Sequence, residues 1–464
     1  RALRAHRAGW RKQGMAPGAS PLRHSFFLAA YTPPLRNQAQ ETERKNDMAS
    51  IYVFDPDTAE YLGEVDAYTS CVLERSWQGV GDCQIVMDTR CAGAELLQVG
   101  RVITIGNAWH KAAILTAERL DGARGSHRRT LTGVELKGIA RLRITVPPTA
   151  QEDPDALGYD RVIGAGEEVL RHYADRHMVN PTSEYRKIPL LELEPAADPP
   201  RGRETPWQTR YENLQDVLTD IAEYCDIGWN VAMDYPRRRW LLTVSAGRDL
   251  TMGNAQAPSG GGEAPEGRGR PEGGPQAGTP ARQSRDGAET FVAFEEDFRN
   301  LTTSSYTYDR GGYTNALYLG GAGEDENRLV IVRYVDEEHE LLEEPLSGLA
   351  RAEEMIDVGN VELPDEAEYE GLHKYVSGFS PLRTLTAQIS PAGPFVYETD
   401  WDLGDKVTVQ VRDAAVGLSV RMDARILTIE ETYERGGQSL RVTFGKEEPT
   451  IGQALRQAQR QTVR

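Results

Sequence analysis

Cysteine and histidine are scarce in this chain, and long apolar runs are missing altogether. The 464 residues hold four Cys and eight His. Cys71, Cys83, Cys91 and Cys225 sit at wide, unequal spacings without a CxxC pair, which excludes a zinc ribbon or a thioredoxin-type redox motif. A chain of this length needs no disulfide scaffold. Reduced thiols acting as small apolar side chains are expected, with a Cys71–Cys91 or Cys83–Cys91 bridge as the open alternative. No stretch approaches the roughly 18 apolar residues of a membrane-spanning helix, so a soluble chain or a part of a soluble assembly is expected. Basic residues are the minority, 53 Lys and Arg against 71 Asp and Glu, for a net charge of −18. Residues 1–47 hold nine Lys/Arg and three Asp/Glu, a balance of +6, which leaves −24 for residues 48–464. Such an acidic body is a poor partner for phosphate backbones, whose affinity comes from Lys and Arg displacing counterions. Nucleic-acid binding is therefore not expected as the main role.

Catalytic and ligand-binding motifs are missing as well. There is no GxSxG, no HExxH and no His placed beside a cysteine, so neither a serine-hydrolase elbow nor a zinc-peptidase helix is present. His110 is the one histidine near Cys71, Cys83 and Cys91, and Asn107-Ala108-Trp109-His110-Lys111 reads as a hairpin tip. The Gly320-Gly321-Ala322-Gly323-Glu324-Asp325 run lacks the Lys-Ser/Thr of a phosphate loop, and its two carboxylates repel phosphate. A tight turn between strands accounts for its glycines. His172 and His177, five apart on an expected helix, should point about 140° away from each other. His339, in Asp336-Glu337-Glu338-His339-Glu340, reads as part of a solvated acidic face. Asp400, Asp402, Gly404 and Asp405 resemble a calcium loop only loosely, without a bidentate Glu at the required offset. A turn leading into a strand is the expected reading. No catalytic, metal or cofactor residue is assigned, and no enzyme activity is expected.

What is present is β-rich. From Ile51 to Val146, apolar–polar alternation marks strands at Cys71–Trp77 and Asp82–Met87 around a Gln78-Gly79-Val80-Gly81 turn. Others follow at Val102–Ile105, Ala112–Glu118 and Arg129–Val134, a spacing that suits a small barrel or sandwich. Glu135–Leu142 reads as a short helix. Val162–Met178 and Asn213–Ile227 carry helical periodicity, with Gly228 expected as a left-handed cap of the second. Trp229–Asp234 and Arg239–Val244 form a hairpin. Gly253–Glu289 is Gly/Pro-rich, cannot bury an apolar face, and is expected as a flexible loop. Strands return at Ser304–Tyr308, Asn315–Gly321 and Arg328–Tyr334. Leu346–Val358 and Pro364–Gly378 show helical potential in an acidic setting. The expected division is a leader (1–47), an N-terminal β-barrel-like domain (48–146), an α+β domain (147–250) and a loop (251–290). A continuation (291–380), a C-terminal β-module (381–448) and a frayed terminal helix (449–464) complete it. Met48 is the expected start of the folded chain. Phe26–Tyr31 is too short and too far in for an export signal.

The run Tyr397-Glu398-Thr399-Asp400-Trp401-Asp402-Leu403-Gly404-Asp405-Lys406-Val407-Thr408-Val409, followed by Met422–Glu431 and Leu440–Gly445, resembles the siphovirus gp-thirty-seven-like proteins of the ReqiPepy type. Several shorter pieces in matching order extend the resemblance over most of Met48–Gly445 outside the loop. They are Ile51–Asp55 with Leu62–Tyr68, Arg75–Trp77 with Gly81–Ile85, Arg186–Pro189, and Tyr211–Leu214 with Ile227–Trp229.

The resemblance implies a phage or prophage tail protein similar to baseplate hubs. It also implies tail-tube-like β-barrel or sandwich modules carrying an α+β insertion, in an α+β, β-rich fold. The implied partners are further copies in a trimeric ring and neighbouring tail proteins (distal tail, tape measure and receptor-binding proteins), in the virion. A tail-borne protein that binds or hydrolyses cell-wall glycan is the alternative. Trp77, Trp109 and Trp401 are expected either at subunit contacts, where aromatics are enriched, or in the core.

Overall fold

The computed structural model describes residues 48–123, 126–149, 151–152, 158–253, 291–295, 298–324, 327–337, 340–359, 361–378, 382–390, 393–413 and 418–445. The leader, most of the Gly/Pro-rich loop, His339 and the terminal stretch lie outside them. Alternating burial along the strands follows directly from alternating sequence. In Ser70–Ser76, Cys71, Leu73 and Arg75 face inward and their neighbours do not. In Arg239–Ser245, Trp240, Leu242 and Val244 do the same.

Most strands join one 14-stranded sheet. Its path runs from Leu301–Asp309 through Leu382–Ile389, Gly437–Gly445 and Leu418–Glu434 to Ser70–Ser76. It continues through Asp82–Asp88, Ser126–Glu135, Ala108–Ala123, Val102–Ile105 and Ile51–Phe54 to Tyr61–Val65. Every pairing on this path is antiparallel. The small barrels expected from strand spacing do not close among the described residues. Instead the first hundred residues hydrogen-bond to the last seventy, Thr428–Glu434 pairing with Ser70–Ser76. An edge that is used to join two modules is not available to close either one. The long strand Leu418–Glu434 makes the join: its first half pairs with Lys406–Asp413, and a register shift between Ile426 and Thr428 turns its second half onto Gly437–Gly445.

Three α-helices accompany the sheets: α1 (Gly166–Ala174), α2 (Leu214–Cys225) and α3 (Pro364–Gly378). In α2, Leu214, Val217, Leu218, Ile221, Ala222 and Cys225 are all buried, as the helical period requires. Asn213 caps its start, its side chain accepting from the Gln215 N–H at 3.0 Å. The left-handed residue at its end is Asp226 (φ 53°), not the expected Gly228. Gly228 begins the next strand, and its missing Cβ serves packing, as described below. The expected helix over Val162–Met178 is a strand as far as Ala165, then α1, then a π turn at Asp175–Val179. Glu353–Asp357, inside the stretch with helical potential, is a strand parallel to Ala316–Gly320. Its Ile356 is buried in one cluster with Ala367 and Tyr375 of α3, and that tertiary contact overrides a weak helical preference. Leu136–Leu142 is a 3-10 helix, in line with the short helix expected there.

Four hydrophobic clusters result. One lies under the three strands Leu191–Leu193, Gly228–Asp234 and Arg239–Ser245 with α1 and α2. The others lie in the N-terminal strands, in the C-terminal strands around Trp401, and between α3 and Ala316–Gly320. All four cysteines are free thiols. Among the described residues no helix is long and apolar enough to cross a membrane.

Candidate functional site

The junction between N- and C-terminal strands buries a cluster of charged side chains. Three strands deliver one charged side chain each to their inward faces: Arg75 in phase with Cys71 and Leu73, Lys111 in phase with Ala113 and Leu115, and Glu431 in phase with Ile429 and Tyr433. The Lys111 Nζ donates to Glu431 Oε2 at 2.7 Å, and a Glu398 oxygen lies 2.7 Å from the same nitrogen. The Tyr397 hydroxyl donates to Glu431 Oε1 at 2.7 Å and accepts from Arg75 Nη1 at 2.7 Å. Arg75 also reaches Asp402 Oδ1 at 3.0 Å and stands 3.7 Å from Glu431. Tyr433 donates to Glu431 as well.

The electrostatics follow from this crowding. Burial pushes the Tyr397 and Tyr433 phenols up, and the neighbouring Glu431 carboxylate pushes the same way. Arg75 is held further above its usual range by Tyr397, Asp402 and Glu431, against the effect of its burial. The hydrogen bond from His110 (3.2 Å), with Lys111 beside it, holds Glu398 at about 2. Every charge here has a partner, so the arrangement holds strands together and leaves no poised nucleophile or proton acceptor.

Next to this knot, the Trp77 indole lies between two glycines. A Cβ on Gly228 or on Gly404 would come within 2.3 Å of the ring. Gly404 also holds φ +88°, so both its backbone and its packing demand glycine. Arg425 covers the same ring, 5.8 Å from its centroid, and forks onto Asp226 at 2.8 and 2.6 Å, with Lys406 3.3 Å from that carboxylate. The C-terminal module is thus fastened to the end of α2.

The residues singled out in the sequence are placed as follows. Asp405 pairs with Arg248 (2.6 Å), Asp402 with Arg75, and Asp400 accepts the Val396 N–H at 2.6 Å. These carboxylates serve turn geometry and arginines. Among the described residues no three His, Cys, Asp or Glu side chains converge as metal ligands. Gly320–Gly323 begins the longer connection, 321–329, between the strands Ala316–Gly320 and Val330–Tyr334, and residues 325–326 of it lie outside the described residues. His110 is already within a strand and meets Glu398, not a cysteine.

His172 and His177 do not diverge. Both converge on Asp160, at 2.8 and 3.3 Å, because the π turn widens the coil beyond the α-helical step. Burial opposes ionisation of Asp160, but the hydrogen bond from His172, with His177 3.3 Å and Arg176 3.1 Å away, holds its carboxyl well below the usual range. Trp77 and Trp401 are buried in the core, so they do not provide subunit contacts. Trp109 stacks on Tyr235 with centroids 5.0 Å apart. Reasoning from motifs missed Arg75, Lys111 and Glu431. The signal that could have found them is a charged residue at an inward phase of a strand.

Three solved structures are among those that align with the chain. The tail protein from Neisseria meningitidis MC58 aligns with TM-score 0.44 and 12% identity over 86% of this chain and 97% of its own. A prophage MuSo2 tail protein from Shewanella oneidensis gives 0.46 and 9% over 86% and 98%. Prophage tail protein gp18 from Listeria monocytogenes EGD-e gives 0.45 and 8% over 89% and 99%. No curated protein matches the chain. The family model described as Siphovirus ReqiPepy6 Gp37-like protein matches residues 50–446, and the chain belongs to that family.

Proposed function

We propose that this chain is a structural component of a bacteriophage or prophage tail, hub-like in position, connecting the tail tube to host-facing parts. The observation that carries the reading is the family match over residues 50–446. The physical design agrees with it. Both ends of the described region are woven into one sheet, and a charged knot ties them, which suits a rigid building block better than a hinged catalyst. The main path of the sheet ends in two edge strands, Leu301–Asp309 and Tyr61–Val65, of the kind through which β-proteins join neighbours. The protein acts in the virion as a homo-oligomer, a trimer by family analogy, beside other tail proteins. Its division into an N-terminal β-domain, an α+β insertion and a C-terminal β-module belongs to the same proposal.

Gold-labelled antibody against the chain, applied to purified particles, tests this. Label at the tail tip is expected. Unlabelled particles, together with cell-wall binding or hydrolysis by the isolated protein, would move the assignment to a glycan-directed role.

A further inference from the structure

One patch contradicts the charge of the molecule. The 3-10 helix Leu136–Leu142 and the chain after it meet the short turn Glu184–Arg186 around an open depression of ≈ 230 Å³. Arg141, Arg143 and Arg186 line it together with Leu142, Ile144 and Tyr185. Among the described residues no carboxylate pairs with any of the three guanidiniums. Arg143 and Arg186 donate only to backbone carbonyls, of Arg186, Leu142 and Ile144. Glu184, the nearest acid in sequence, turns to Lys187 at 4.0 Å. Burial, with Arg143 and Arg176 close by, keeps Arg186 below its usual range. The apolar members are open to solvent: Tyr185 is 100% exposed, Leu142 59% and Ile144 46%. Three like charges and three bare apolar groups on a chain of net −18 describe half of an interface.

The complementary half is on the same chain. Leu341–Leu349 reads Leu-Leu-Glu-Glu-Pro-Leu-Ser-Gly-Leu and leaves the sheet after Tyr334. Leu341, Leu346 and Leu349 are exposed, Leu349 completely. Glu343 and Glu344 are exposed too and have no ion-pair or hydrogen-bond partner among the described residues. Among the described residues no hydrogen bond or ion pair joins this segment to the arginine depression within one chain.

We infer that the depression lined by Arg141, Arg143 and Arg186 receives the Leu341–Leu349 segment of a second copy of this chain. Leucine side chains lie against Leu142, Ile144 and Tyr185, while Glu343 and Glu344 face the guanidiniums. An acidic, leucine-bearing segment fits this lining better than a nucleic acid or polyphosphate. A polyanion would leave the apolar groups uncovered and would meet the repulsion of the acidic body. Because the two surfaces differ, the contact is head to tail, and each copy offers one of each; repetition gives a ring if the rotation closes. This goes beyond the tail assignment by naming the surfaces that copies use on each other.

The test is sedimentation and light scattering of the full chain at low and high salt, with circular dichroism to confirm folding. Salt-sensitive self-association is expected. Arg141→Glu, whose side chain has no ion-pair partner among the described residues, and the loop variant Glu343→Arg/Glu344→Arg should each weaken it about tenfold or more, the effect of like charges facing each other. Arg141→Glu combined with Glu344→Arg in one chain should restore much of it. A chain that stays monomeric at low salt overturns the inference, as does association indifferent to both variants. Polyphosphate binding lost in Arg141→Glu, without self-association, would also overturn it and make the depression an anion site. A monomer whose antibody still labels tail tips would remove this contact and leave the tail assignment standing.

Discussion

Lys111→Met is the sharpest test of how the two ends of the chain are held. The Lys111 side chain is 4% exposed, and its Nζ lies 2.7 Å from both Glu431 and Glu398. The Glu431 side chain has no exposed surface. At an effective dielectric of about 20, two unit charges this close attract by roughly 6 kcal/mol, most of it offset by the desolvation of both ions. Removing one partner does not remove the desolvation of the other. Glu431 would keep two tyrosine hydroxyls and Arg75 at 3.7 Å. The expected loss is therefore that of a broken buried pair, about 3–5 kcal/mol, large beside the ~5–15 kcal/mol that stabilises typical proteins. Urea unfolding followed by tryptophan fluorescence should show the midpoint fall by about 1 M at a slope of about 3 kcal/mol/M, and by proportionally less at a steeper slope. Lys111→Met with Glu431→Leu removes both charges and should recover at least half of the loss, since an apolar pair of similar size can replace a buried ion pair. A single variant costing under about 1 kcal/mol, or a double variant worse than the single one, would refute the reasoning.

Three further outcomes follow from the same structure. Gly228→Ala should cost about 1–3 kcal/mol by overpacking against Trp77, while Trp77→Ala should cost about 3–5 kcal/mol and make the glycine substitution nearly harmless; thermal melts of the three variants check this coupling. Glu398, held at about 2 against an ordinary 4.5, has a depressed folded-state value, so its contribution is complete above about 4.5 and lost as pH falls towards 2. Glu398→Gln should flatten the acid limb of the stability curve in that window, read by denaturant midpoints at stepped pH. Asn213→Ala removes the cap of α2 and should lower stability by about 1 kcal/mol, with Asn213→Gly costing less.

Short-range rules recovered much of the architecture. The buried stripe of α2, the Trp229–Val244 hairpin and the strands around Gln78–Gly81 all obey periods of 3.6 or 2 that a single segment carries in itself. Gly228 was misread because a glycine after a helix serves equally as a cap or as a close approach, and only the Trp77 ring decides between them. The two histidines would diverge on a regular α-helical step, and the π turn that brings both to Asp160 is not carried by the local period.

The charged knot was half legible. Arg75, Lys111 and Glu431 each stand at an inward phase of a strand, which flags a buried charge, but more than three hundred residues separate Lys111 from Glu431. Sequence by itself therefore determined most of the strands, the helix α2 and the family, since these rest on local periodicity and ordered motifs. Tertiary structure alone decided that the modules share one sheet instead of closing as barrels, and which buried charges neutralise one another. Edge pairing and charge burial both depend on partners that no local window contains.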